Sequence, residues 1–186
     1  LKRSLKVKFM PNPVDPSLDK YNNSSKISEY LSGSILLSQS KYLDSYKYLK
    51  KLNGLEENHS TFSSKYLYAS VNSGNFNQAF NFSKRLEKKK QDSFESDLII
   101  GIYYAKNLKY DLANQYFLKA KNRKSKSILE TYIANYLNFW SQIDNYNLNE
   151  AYLIFNQLDD RLMNLKKIQN VFLNCFYGNE EVERLF

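Results

Sequence analysis

The sequence predicts an all-α protein assembled from repeated helix–turn–helix units, and three observations carry that prediction. Turn-forming residues are scarce: the 186 residues include five Gly and three Pro, and Pro11, Pro13 and Pro16 all precede residue 17. A β-sandwich of this length needs many more, and beyond Ser17 no proline ring obstructs a helix. Four segments along the chain share one order of residue types. Within each segment apolar and small residues recur at offsets of 3 and 4, which place them on one helical face.

The first 25 residues stand apart. Leu1–Phe9 alternates Lys2, Lys6 and Lys8 with Leu5, Val7 and Phe9, as a basic strand or extended arm would. Met10–Ser25 holds every Pro together with Asn, Asp and Ser, and reads as a linker. From residue 26 the chain repeats itself. Residues 40–52, 74–86, 108–120 and 146–158 each open on a turn residue or its substitute and reach Tyr42, Phe76, Tyr110 or Leu148 two positions later. A small residue follows (Ser45, Ala79, Ala113, Ala151), then Leu49, Ser83, Phe117 or Phe155, and then Leu52, Leu86, Ala120 or Leu158. The small residues stand 34, 34 and 38 positions apart.

A helix is expected before each of these segments, over residues 27–39, 61–73, 94–107 and 129–143. The units therefore fall near 26–59, 60–93, 94–127 and 128–161, with a truncated fifth over 162–186. That last unit has an amphipathic stretch 164–176, Gly178 at its turn, and a helix opening at Glu180. Capping chemistry agrees with the frame. Asn75 with Gln78 and Asn147 with Glu150 suit the starts of second helices, and Asp92 with Glu95 suits a first helix.

A 34-residue helix–turn–helix unit resembles the tetratricopeptide repeat. Gly33 and Gly101 match the small first-helix residue at the close approach of the paired helix, and Gly74 matches the turn glycine. Tyr42, Phe76 and Tyr110 match the aromatic opening the second helix, Ala79, Ala113 and Ala151 its small residue, and Phe117 and Phe155 its later aromatic. The chain departs from the pattern at Ser45, Leu67 and Phe139, lacks the repeat-ending Pro, and takes a step of 38 into the fourth unit. The resemblance covers residues 26–178 and implies an α-solenoid of about 4.5 hairpins wound into a right-handed superhelix. The degenerate repeats also look like those of bacterial, especially alphaproteobacterial, proteins, which leaves cytoplasm and periplasm or envelope both open. The chain begins at Leu1 rather than Met and shows no polar closing helix after Phe186, so a longer natural array is expected.

Chemistry for catalysis is thin. His59 is the one histidine and Cys175 the one cysteine, which excludes a disulfide framework and a thiolate zinc cluster. Glu56–Glu57 and Asp159–Asp160 are adjacent carboxylates whose side chains point apart at helix ends, and no Gly-rich phosphate loop occurs. The expectation is a protein with no cofactor, no metal and no small-molecule substrate, and with no membrane span. The net charge of +8 admits a nucleic-acid partner. Its lysines, however, cluster at 84–90 and 119–126, where helix C-termini favour cations, and do not interleave with stacking aromatics.

In an array like the one the resemblance implies, the first helices line the concave face. Helical spacing then points Tyr30, Ser34 and Leu37, Ser64, Tyr68 and Val71, Leu98, Ile102 and Ala105, and Tyr136, Trp140 and Ile143 into it. The expected function is a non-catalytic protein-interaction scaffold that receives a protein or peptide in this apolar-aromatic groove, with Tyr68 and Trp140 as anchors. It lacks the Lys/Asn/Arg set by which tetratricopeptide domains clamp a C-terminal carboxylate. The alternatives are a single-stranded RNA binder and a purely structural piece of a longer solenoid.

Overall fold

The computed structural model describes residues 16–52, 54–57, 59–124 and 127–178, with backbone alone for 16–23, 57 and 60. All regular structure among the described residues is helical. The α-helices are α1 (Pro16–Ser38), α2 (Tyr42–Leu49), α3 (Ser60–Asn72), α4 (Phe76–Lys88), α5 (Phe94–Lys106), α6 (Tyr110–Lys121), α7 (Ile128–Trp140), α8 (Leu148–Asn156) and α9 (Met163–Phe176). Short 3₁₀ turns occupy Lys50–Leu52, Leu55–Glu57 and Ile143–Asn145. The helices α2 to α9 fall where the repeat frame expects them. The first does not: α1 begins at Pro16, so residues 16–25, read from sequence as linker, are helical. A proline is tolerated in a first helical turn because no intrahelical donor is lost there. The arm Leu1–Phe9, Pro11, Pro13 and the helix expected from Glu180 lie outside the described residues.

The chain divides into two compact units, Leu1–Gly74 and Asn75–Phe186. In the first, α1 packs on α2 and α2 on α3. Gly33 on α1 sits directly against Leu49, and its carbonyl accepts a 2.7 Å hydrogen bond from the buried Ser45 hydroxyl of α2. That is why Ser replaces Ala at this slot: the side chain is small enough for the close approach and supplies its own donor. Leu49, Leu52, Phe62, Tyr66, Leu67 and Ala69 form the core.

In the second unit α4 packs on α5, α5 on α6 and α6 on α7. Gly101 of α5 lies under the Phe117 ring of α6, and the small residues Ala79, Ala113 and Ala151 are fully buried. Phe80 and Tyr103 stack with centroids 3.7 Å apart. A second centre joins α7, α8 and α9 through Tyr132, Tyr136, Phe139, Ala151, Phe155 and Leu173.

The repeat is written in the backbone as well as the side chains. Ser40, Gly74 and Leu108, each 34 residues after the last, all take a left-handed conformation, with φ of 58°, 78° and 57°. After α1 and α5 the following amide reaches back five residues, Lys41 to the Leu36 carbonyl and Lys109 to the Tyr104 carbonyl, both at 2.9 Å, which closes the helix end. The step of 38 has a structural counterpart in the 3₁₀ turn Ile143–Asn145 before α8, and there Tyr146 is extended. Capping follows the expectation only in part. Asn147 and Glu150 form a reciprocal capping box at α8. Asn75 precedes α4 without a side-chain cap bond. At α5 the box is made by Ser93 and Ser96 rather than Asp92 and Glu95, because Asp92 is held by Lys119 and Arg123 instead.

Candidate binding surface

In the first unit, Tyr30 and Ser34 on α1 are half-buried and face α3. Lys65 of α3 donates to the Ser34 hydroxyl at 3.0 Å and lies 4.7 Å from the Tyr30 ring centroid. The Tyr30 hydroxyl is 3.3 Å from Thr61 Oγ1, which in turn meets His59 Nδ1 at 2.9 Å. Partial burial by itself would raise the Tyr30 pKa, but Thr61, Lys65 and Ser34 together bring it below the ordinary tyrosine value. Leu37 is half-buried. Further along α3, Ser64 and Val71 are exposed and Tyr68 is 53% exposed, its ring set edge-on to Tyr42 at 5.7 Å. Tyr68 is thus held by an aromatic neighbour yet open to solvent.

In the second unit, Leu98 and Ala105 of α5 are half-buried and Ile102 is exposed. Two expectations for α7 and the turn after it are overturned. Tyr136 is only 4% exposed, packed 4.2 Å from Tyr132 and edge-on to Phe155, and Ile143 is buried in the same cluster. Burial pushes the Tyr136 hydroxyl pKa well up. Both side chains belong to the α7–α8–α9 core, because the aromatic residues that give α7 its stripe supply the volume that core needs. Trp140 is half-buried and its indole N–H donates to Gln169 of α9 at 2.6 Å. It serves helix packing and is not a free anchor.

Of the residues that the resemblance assigns to the repeat, Gly33, Ser45, Ala79, Gly101, Ala113, Phe117, Ala151 and Phe155 are buried, Tyr42 and Phe76 half-buried, and Gly74 and Gly178 exposed in turns. Tyr110 is exposed, so of the three opening aromatics it contributes least to packing.

Three features went unread in the sequence. Lys65 reaches back to α1, which single-helix periodicity does not reveal. Ile27, Leu31 and Ile35 form an exposed row on α1, and Ile168, Phe172 and Phe176 another on α9; both rows were legible as 4-residue spacings. An ion network ties α4, α5 and α6 together. Asp97, fully buried, receives Arg123 Nε at 2.5 Å and Lys119 Nζ at 3.1 Å. Asp92 receives Lys119 at 2.9 Å and also Arg123, while Glu87 pairs with Lys84 and accepts from the Tyr116 hydroxyl at 3.2 Å.

Asp159 and Asp160 do not work as a pair. Asp159 binds Arg161, which holds its pKa down at about 2, and Asp160 binds Lys166 at 2.6 Å. Glu56 is buried and accepts from the Gly54 amide at 2.8 Å. Among the described residues no three His, Cys, Asp or Glu side chains gather as metal ligands, and no helix is long and apolar enough to cross a membrane.

Compared with known protein families, curated proteins and solved structures, this chain matches none.

Proposed function

We propose that the chain is a non-catalytic interaction scaffold of the tetratricopeptide kind, its hairpins forming a solenoid that binds a protein or an extended peptide. In this reading the partner is received by Tyr30, Ser34, Leu37, Tyr68 and Val71 in the first unit and by Leu98 and Ile102 in the second. The observation that carries it is Tyr68: a large amphipathic ring, more than half exposed, braced by Tyr42 and followed one turn later by exposed Val71. An aromatic side chain already held in place loses little conformational freedom on binding, which is what an anchor residue requires.

The test is a selection of displayed peptides on the full chain, with affinity measured by fluorescence anisotropy. Tyr68→Ala is expected to weaken the selected peptide by at least about tenfold, as truncation of an interface anchor does, with the far-UV circular dichroism unchanged. An affinity that survives both Tyr68→Ala and Val71→Asp rejects this surface. Trp140→Ala is not a clean probe, because it also removes the bond to Gln169.

A further inference from the structure

Lys65 is a half-buried cation with no counter-ion among the described residues. Lys84, Lys119, Arg123 and Lys166 are half-buried too, and each of them faces a carboxylate, while Lys121, also half-buried, lies in the last turn of α6, where the helix end favours a cation. The Lys65 ammonium instead donates to the neutral Ser34 hydroxyl and rests over the Tyr30 ring. The neighbouring acid on α1, Glu29, is turned to Lys51 at 3.4 Å, and the first turn of α3 carries no acidic residue. The ammonium lies beside the Ser34 hydroxyl and the Tyr30 ring, and from Tyr30 the cluster continues to the Thr61 hydroxyl and the ring of His59. Partial removal of a charge from water is costly unless an opposite charge meets it. The Tyr30 ring supplies part of that compensation and fixes the ammonium in place. Every hydroxyl in the cluster can turn its proton toward an incoming acceptor.

We propose that this cluster binds a carboxylate side chain, aspartate or glutamate, presented by the protein partner. Lys65 forms the ion pair, and Ser34 and Thr61 add hydroxyl hydrogen bonds. A carboxylate fits better than a phosphate: the cluster offers one fixed positive charge and no arginine, whereas phosphate groups are met by forked guanidinium pairs or several cations. Tyr68 is three residues beyond Lys65, on the neighbouring position of the same helical face. The preferred ligand therefore carries an acid next to an apolar or aromatic residue. The inference rests on the reading of this face as partner-binding and adds the charge that the partner must bring.

The experiment uses the full isotope-labelled chain and two capped peptides, tetraglutamate and tetraglutamine, followed by NMR at low and at physiological salt. Tetraglutamate is expected to shift the Lys65 side-chain, Tyr30 ring and Thr61 signals saturably, and tetraglutamine to leave them in place. Lys65→Met should weaken tetraglutamate about tenfold or more while Lys65→Arg keeps most of the affinity, both with an unchanged melting temperature. Three results overturn the proposal: shifts no larger at Lys65 than at the exposed Lys88–Lys90 run, an equal response to tetraglutamine, or a Lys65→Met variant that binds like the parent. Inorganic phosphate that binds the cluster more tightly than tetraglutamate overturns the choice of carboxylate. The probe needs no natural partner. A failed peptide selection therefore rejects the scaffold reading, and a failed titration alongside Tyr68-dependent peptides rejects only the acid site.

Discussion

Gly101 and Gly33 occupy the same slot in different repeats, yet they answer differently to an added methyl group. A Cβ on Gly101 would stand 2.7 Å from Phe117 Cδ1 and closer still to Cε1, against a rigid ring that is itself buried. On Gly33 it would meet Leu49 Cδ2 at 2.7 Å and Cγ at 2.8 Å, on a side chain that is also buried but smaller than a ring. Alanine in a helix gains about 1 kcal/mol over glycine, while overpacking costs about 1–3 kcal/mol. Both alanines should therefore destabilise, Gly101→Ala by about 1–2 kcal/mol and Gly33→Ala by less, measured by urea unfolding. Leu108 offers the opposite case. It holds φ of 57° at 74% exposure, with no packing to compensate the strain. Leu108→Gly is expected to stabilise by roughly 0.5–1 kcal/mol, since a left-handed non-glycine residue costs about 1–2 kcal/mol and glycine gives part of that back through unfolded-chain entropy. A melting temperature lower than the parent's would contradict it. The spacing of these positions was legible in the sequence. The sign of each effect was not, because it depends on which atom lies across the interface.

Between elements, the strongest polar link is the ion network of α4, α5 and α6. Burial by itself would raise the pKa of Glu87 and of Asp92. Lys84 and Tyr116 for the first, Lys119 and Arg123 for the second, outweigh it and hold both below the ordinary carboxylate range. A folded-state pKa below the unfolded one means the stabilisation is complete above the unfolded values, about 3.9 to 4.3. It is lost as the pH falls through the lowered folded values. Trp140, the one tryptophan, sits in the same unit and reports on it. Urea unfolding followed by its fluorescence should show stability flat from pH 7 to about 5 and falling below about pH 4. Arg123→Met leaves the buried Asp97 with Lys119 alone. It should destabilise at pH 7 by about 2 kcal/mol, less than for a fully buried pair because Arg123 is partly exposed. An equal stability of parent and variant would make the network ornamental. The sequence placed the basic runs 84–90 and 119–126 at helix ends, and Lys88, Lys119 and Lys121 stand in last turns. The carboxylates that meet Arg123 stand 26 and 31 residues before it, beyond any local pattern.

At the scale of the whole chain, 27 basic against 19 acidic residues make any polyanion a weak ligand. Binding to a labelled single-stranded RNA homopolymer should fall steeply between about 50 and 200 mM salt, as counter-ion release requires, with little difference among base compositions. Sequence-selective RNA affinity that persists at physiological salt would favour the nucleic-acid alternative over the scaffold. Composition and spacing are enough to place the helices from residue 26 onward and their period, though not the first half of α1. Scarce Pro and Gly, spacings of 3 and 4, and small residues every 34 positions are local or strictly periodic signals, and each is read within one element or one repeat. Tertiary structure alone decided which aromatic rings are core and which are surface. Tyr68 and Tyr136 carry the same periodic signature, yet Tyr136 is closed in by α8 and α9 while Tyr68 stays open. It also decided that Lys65 meets a ring and a hydroxyl in place of a carboxylate. Burial and pairing are properties of what a neighbouring helix brings to a face, and periodicity along one helix carries no information about that neighbour.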